Sequence, residues 1–365
     1  CSGLVGSEMC IRDSNDPENQ DLLSHLVDLE TRLGLHDLAR EHLDKGLTQW
    51  PLEPALKFRK ATLEMACANF NEALDILQSM LDAGIDNHAI RYNLGYACLG
   101  AGEHERAIDM FNSIESHDHE LPELQLLQSQ ALHHLGEIEA AIKKADIYLK
   151  NHPHSGEALG MLGLLYFDNG EFDKAKRFAK EAFAGDPDNR EAMITLGSVA
   201  LEELKPKEAE NYFTSATKKY TESGRSWSGL GLTQMMTQNL PMARKSLEKA
   251  VQYMPGHLGS WLALAWCQIA DGDLDGAEHN LNSANKIDHN FSETHGGLAV
   301  VAALRGNWDT AEKQAKIALR LDPQSFSGRF AQSLSTNRQD PASAQGMIEK
   351  IPVSYTHLRA HETAT

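Results

Sequence analysis

Histidine comes nearest to marking a chemical site in this chain. His117, His119, His152 and His154 fall near the ends of two neighbouring stretches, and with Asp118 they are the imidazole and carboxylate donors that zinc takes. Exposed turn histidines account for the same letters, and no bound metal is expected. His133-His134 reads as a surface pair. Cys67, Cys98 and Cys267 have neither C-x-x-C nor zinc-ligand spacing, so they read as small buried hydrophobes. No phosphate loop, nucleophile elbow or zinc-protease helix motif occurs, and the acids are spread as on solvated helix surfaces. The expectation is a non-enzymatic protein with no catalytic residue and no cofactor.

Composition narrows the class of partner. The net charge is −18, from 52 acidic against 34 basic residues, which argues against an extended nucleic-acid-binding face. No apolar run reaches the length of a membrane span.

What must position any binding residue is a repeat of 34 residues. Alanine stands at 39, 73, 107, 141, 175, 209, 243, 277 and 311 without a miss. At a typical Ala frequency of about 10%, chance gives such a run roughly once in a billion. Laid from Gln20 with Ala39 as position 20, the period gives nine units, 20–53, 54–87, 88–121, 122–155, 156–189, 190–223, 224–257, 258–291 and 292–325. A partial or capping unit follows over 326–351. In it Arg329 and Gln332 replace the usual Trp and Leu, and Asp340-Pro341 reads as a helix start.

Position 8 is nearly always small, which lets two antiparallel helices approach closely. Position 15 is Gly at 34, 102, 136, 170, 272 and 306, suited to the left-handed residue that ends a first helix. Large residues at position 17 (Phe70, Phe172 and Trp308 among them) are expected to anchor the start of the second helix. Pro at position 32 (Pro51, Pro153, Pro187, Pro255, Pro323) is expected to end the unit. Leu204 and Gln238 replace the Gly in two units, where Pro206 and Pro241 suggest that the break is made by a different device. Lys60 and Gln128 stand where Leu is usual at position 7, which predicts a looser stack there.

This pattern resembles the tetratricopeptide repeat, most plainly in the fifth unit with Leu162-Gly163, Tyr166, Gly170, Phe172, Ala175, Ala182 and Pro187. Trp227 and Trp261 add the family's Trp at position 4. The resemblance implies an all-α, right-handed superhelical solenoid of antiparallel helix pairs, with one continuous core and a partner held on the concave face. It also implies that positions 2, 5, 9 and 12 point inward. The apolar residues there in units five to eight, Leu164, Phe167, Leu201, Leu232, Met235, Trp266 and Ile269, are the expected partner-binding strip. Ser198 is its one polar interruption. Acids at position 2 (Asp21, Glu123, Glu157, Glu191 and Glu293) form its margin. Such a strip suits a protein or peptide segment with basic flanks. The same side chains would equally serve to pack adjacent first helices together.

Two sub-functions of the resembled family are disfavoured. Position 5 carries no Lys, so the clamp for the carboxylate tail of heat-shock chaperones is missing. The Asn ladder of the intracellular sugar transferase is matched at position 6 only by Asn93.

Cys1–Ser14 and Pro352–Thr365 fit neither the repeat nor a cap. They resemble translated sequencing-adapter DNA, through GSEMCIRDS and VSYTHLRAHET. Both are expected to be foreign to the native gene, which then runs beyond them. The leading expectation is a scaffold or adaptor, and the alternative is the repeat region of a larger enzyme or secretion-assembly protein.

Overall fold

The structure, a computed structural model, describes residues 20–336 except Pro122, and of 118–120 the backbone only. The carboxy-terminal part of the partial unit and both unusual ends lie outside the described residues, with the helix start at Asp340-Pro341 among them. Helices of two kinds alternate. The first helices are α1 (Gln20–Arg32), α3 (Pro54–Ala66), α5 (His88–Ala101), α7 (Leu124–His134), α9 (Gly156–Asp168), α11 (Arg190–Glu202), α13 (Gly224–Met236), α15 (Leu258–Asp271), α17 (Ser292–Leu304) and α19 (Phe326–Thr336). The second helices are α2 (His36–Gln49), α4 (Phe70–Asp82), α6 (His104–Ser113), α8 (Ile138–Asn151), α10 (Phe172–Gly185), α12 (Pro206–Lys219), α14 (Leu240–Tyr253), α16 (Leu274–Ile287) and α18 (Trp308–Leu321). Every second helix starts at position 17, and no strand occurs among the described residues.

Where the register alone predicts one uninterrupted core, the described chain divides into two compact units, residues 20–144 and 145–336. The end of the first is where the pattern is weakest. A 3-10 helix over Glu115–Glu120 replaces the last turn of a second helix, and α7 begins two residues late. Gln128, at position 7 of α7, is fully buried. Its Nε2 donates to Asn112 Oδ1 at 2.9 Å, and its Oε1 has no partner. Lys60, the other substitute for Leu, stays partly exposed and reaches Asp44 and Glu72 at 3.8 and 3.9 Å.

The nine alanines are all at 0% exposure, which puts the repeat's most regular letter at its tightest crossing. What each crossing packs against is set by position 24, whose size complements position 8. Phe111 fills the space that Gly95 leaves, Phe213 that of Gly197, and Leu247 that of Gly231. Gly163 faces Ala179 instead, and a Cβ on it would stand 3.1 Å from the Ala179 backbone nitrogen. The pairing keeps the packed volume nearly constant while the side chains change.

One expectation about the turns is corrected. Leu204 and Gln238 do not replace the left-handed break with another device, for they adopt it themselves at φ 55 and 60. Ala68, the third unit without Gly, does the same at φ 60. All nine units therefore turn at position 15 in one conformation, and Pro206 and Pro241 serve only to start the helices that follow. A Cβ in this region costs about 1–2 kcal/mol, part of which a glycine returns through its freer unfolded chain. Because the three side chains are exposed, little packing is lost by removing them. Ala68→Gly, Leu204→Gly and Gln238→Gly are each expected to stabilise by about 0.5–1 kcal/mol. A triple variant whose urea midpoint does not rise would refute this.

Candidate partner-binding face

The inward positions behave differently in the two units. In residues 145–336 they are closed. Leu164, Phe167, Leu201, Leu232, Met235 and Ile269 are all buried at 7% exposure or less, and Ser198 is buried among them. Trp266 is partly exposed and packs on Phe326 and Phe330, each with ring centroids 6.1 Å away. Long runs of consecutive residues in α9 and α11 are buried without a break, so these helices present little open face. Across this face Arg225 at position 2 of α13 pairs with the buried Asp168 of α9, two repeats earlier.

The acids of the expected margin do not act together. Glu157 is exposed, as are Asp21 and Glu123 of the first unit, and Glu191 pairs with Arg190 at 2.6 Å. Glu293 is buried and serves the fold. Its carboxylate accepts from Phe326 N at 2.8 Å, Ser327 N at 3.0 Å and Ser327 Oγ at 2.5 Å, which satisfies the free donors that open α19.

In residues 20–144 the equivalent positions are closed only in part: Ser24, Met65 and Leu126 are buried, while others are not. Phe58 and Tyr92 at position 5 and Leu99 at position 12 are half-buried, and Tyr96 at position 9 is 42% exposed. Tyr92 leans on Phe111 and Tyr96 on Phe70, with centroids 6.3 and 6.5 Å apart, so packing fixes both rings from behind. Beside them Arg59 donates to Asp28 Oδ2 and to the Ser24 carbonyl, both at 3.0 Å. This unit is also where the charge lies: residues 20–144 hold 21 acids against 10 bases, while 145–336 hold 24 against 20. Position 9 elsewhere in these residues is polar, with Asp28, Thr62 and Gln130, so the letters do not mark an apolar strip here.

The described histidines have contacts of other kinds. His117 stacks on His88 and His152 on Tyr148, while His154 is exposed. Among the described residues no group of three or more His, Cys, Asp or Glu is placed to hold a metal, and the side chains of Asp118 and His119 lie outside them. His133 and His134 sit at the end of α7, where His134 stacks on His104 at 4.3 Å. Burial pushes the His104 pKa down and those of the Cys98 and Cys267 thiols up to about 11, which leaves both thiols unreactive.

Two recurring contacts were not read from the sequence. Position 34 supplies the cap of many first helices, through Asn87, Ser155, Asn189, Ser223 and His257. Position 4 supplies a donor to the carbonyl six residues back. Trp227 reaches Thr221, Trp261 reaches Pro255, His295 reaches His289 and Arg329 reaches Pro323, at 2.7–3.0 Å. Arg329 therefore does the work of the Trp it replaces.

Comparison with known proteins agrees with this geometry. Tetratricopeptide repeat models match residues 64–131, 126–190, 161–203, 234–296 and 292–315. The chain belongs to the tetratricopeptide-repeat family. Among curated relatives of this repeat protein, BBSome complex member BBS4 of Bos taurus is 24% identical over 271 residues, covering 72% of this chain and 48% of that protein. Protein O-mannosyl-transferase TMTC1 of Homo sapiens is 23% identical over 176 residues, covering 47% and 20%. The chain thus spans less than half the length of either. The solved structure of the APC/C hetero-tetramer Cut9-Hcn1 superposes with TM-score 0.64 at 17% identity, over 83% of this chain and 59% of that one. A human IFIT1 dimer with m7Gppp-AAAA gives 0.60 at 16%, over 93% and 88%. Membership of the tetratricopeptide-repeat family makes this a protein-interaction scaffold in general terms. Among the described residues no helix is long and apolar enough to cross a membrane.

Proposed function

We propose that this tetratricopeptide-repeat protein is a non-enzymatic scaffold that holds an amphipathic, basic-flanked segment of a protein partner against the first helices of residues 20–144. One observation carries the reading: several register positions that are sealed in the second unit stay partly open in the first, where aromatic and apolar side chains line them. Phe58, Tyr92, Tyr96 and Leu99 offer rigid contact area at low entropic cost. The 21 acids of that unit favour lysine and arginine in the ligand and disfavour both nucleic acid and an acidic chaperone tail. Complex membership in the name of its relative BBS4 fits such a role. The role holds equally if the chain works as the repeat region of a longer protein.

Titration calorimetry against a panel of amphipathic peptides flanked by lysine or arginine tests the assignment. For a peptide that binds, the Tyr92→Ala, Tyr96→Ala double variant is expected to weaken affinity at least about tenfold. Met235→Ala, Trp266→Ala should leave affinity unchanged while lowering the unfolding midpoint, because both residues support the fold. The reverse pattern would return the binding strip to units five to eight.

A further inference from the structure

We propose that the solvent-facing side of the second helices α10, α12, α14, α16 and α18 is a docking surface for an extended acidic segment of a partner protein. Positions 20, 24 and 27 of these helices are buried, from Ala175, Ala179 and Ala182 to Ala311, Ala315 and Ala318. Positions 22, 25 and 29 lie on the opposite side, and their spacing of three and four residues lines them up along one face. Arg177 and Lys180 of α10, Lys245 of α14, and Lys313, Lys316 and Arg320 of α18 stand there, all exposed. Lys218 of α12 and Lys286 of α16 continue the band across the helices between. Glu248 is the one acid at these positions in the five helices, and Arg244 already donates to it at 3.1 Å.

The fold does not ask for cations there. A helix macrodipole favours them in the last turn, which covers position 29 but neither 22 nor 25. The same three positions of units one to three carry Glu41, Asp44, Asp75, Asp82 and Asp109 and no base, in the same kind of helix. Helix stability argues against the arrangement as well. Arg177 and Lys180 are three residues apart, as are Lys313 and Lys316, and Lys316 and Arg320 are four apart. Like charges at these spacings repel. Among the described residues none of these five forms an ion pair that would relieve the repulsion. Cations crowded on one face at a cost to their own helices are the footprint of an anionic ligand.

The acids around the band select the occupant by width. Asp173, Asp275 and Asp309 at position 18 are exposed on one side of it, and Asp186, Asp288 and Asp322 at position 31 follow on the other. At 1.5 Å per residue the cations cover about 10 Å along each helix, and the bounding acids stand about 20 Å apart. One extended polypeptide fits on the cations alone. A nucleic-acid duplex or an anionic membrane surface is broader and meets aspartates on both sides. A single nucleic-acid strand is narrow enough, but it binds by stacking its bases, and no Phe, Tyr or Trp stands at positions 22, 25 or 29 of the five helices. Aspartate and glutamate side chains need only the cations. The band shares no residue with the inner strip of residues 20–144, so the two assignments stand or fall separately.

Fluorescence anisotropy on the full chain tests this, with a labelled glutamate peptide of about 15 residues, ~50 Å long when extended. At low ionic strength the peptide should bind, and binding should weaken as salt is added. Lys313→Glu, Lys316→Glu should weaken it at least about tenfold. Lys45→Glu, Lys57→Glu makes the same change of net charge in residues 20–144 and should leave affinity within about twofold, as should Tyr92→Ala, Tyr96→Ala on the inner strip. Lys313→Gln, Lys316→Gln should lose binding without lowering the unfolding midpoint, which separates loss of the surface from loss of the fold. The proposal is overturned if the peptide does not bind at low salt, or if Lys45→Glu, Lys57→Glu weakens it as much as Lys313→Glu, Lys316→Glu. It is equally overturned if single-stranded oligothymidylate or vesicles of anionic phospholipid bind more tightly than the peptide and lose that binding in Lys313→Glu, Lys316→Glu, which assigns the band to the other ligand.

Discussion

Phe213→Ala is expected to destabilise the second unit by about 3–5 kcal/mol, the usual range for emptying a fully enclosed aromatic site. Phe213 has 0% exposure and lies between α11 and α13. Two glycines make room for it. A Cβ on Gly197 would stand 2.8 Å from its ring, and one on Gly229 2.2 Å from it. Neither contact can be relieved by rotation, since the ring is held from both sides. Gly229→Ala alone should therefore cost about 1–3 kcal/mol through overpacking, although alanine is the better helix former by about 1 kcal/mol. In the Phe213→Ala background the sign reverses. There Gly197→Ala and Gly229→Ala refill part of the cavity and gain propensity, so the triple variant should be more stable than Phe213→Ala by about 1–2 kcal/mol. Urea unfolding of the parent, Phe213→Ala, the Gly197→Ala, Gly229→Ala double variant and the triple variant, read with exchange across α11 to α13 because repeat arrays need not unfold in two states, measures the coupling. Additive effects would show that the glycines are not there for the ring.

The legibility of the chain divides along the same line as its energetics. Local backbone demands were plain in the letters, because a left-handed turn favours Gly and a close crossing demands Ala. Hence Ala39 to Ala311 and Gly34 to Gly306 gave the register and the helix pairs. Leu204 and Gln238 misled for a physical reason: a cost of about 1–2 kcal/mol is one that neighbouring packing can absorb, so the conformation outlives the residue that prefers it. The open face was harder to read. Leu232 and Tyr96 occupy the same inward position, yet the first is buried and the second exposed. The difference therefore lies in the neighbours that each repeat brings, which the register position alone does not carry. The Asp168–Arg225 pair, which joins residues 57 apart, belongs to that level as well.

The second large effect is one of pH, and it comes from His257. Its Nδ1 accepts from Ser260 N at 3.1 Å and meets Ser260 Oγ at 2.8 Å, which caps α15. A ring nitrogen that accepts a backbone N–H holds a lone pair there, so the folded state requires the neutral imidazole. Burial, aided by the neighbouring Arg225 guanidinium and opposed more weakly by Asp168, pushes its pKa down to about 4. The unfolded chain has the ordinary value of about 6.5. Between these two values the unfolded state takes up a proton that the folded state refuses. The contribution of His257 is therefore complete above pH 6.5 and is lost progressively as pH falls through about 4, for a total of about 2–3 kcal/mol. His257→Asn keeps a capping acceptor and removes the titration. Its unfolding free energy should fall less steeply than the parent's from pH 6.5 to 4, with the two curves parallel above pH 7. The carboxylates common to both chains contribute equally to each curve and cancel in the difference. Parallel curves throughout would mean that His257 is freely protonated in the folded protein and that the cap does not depend on its charge.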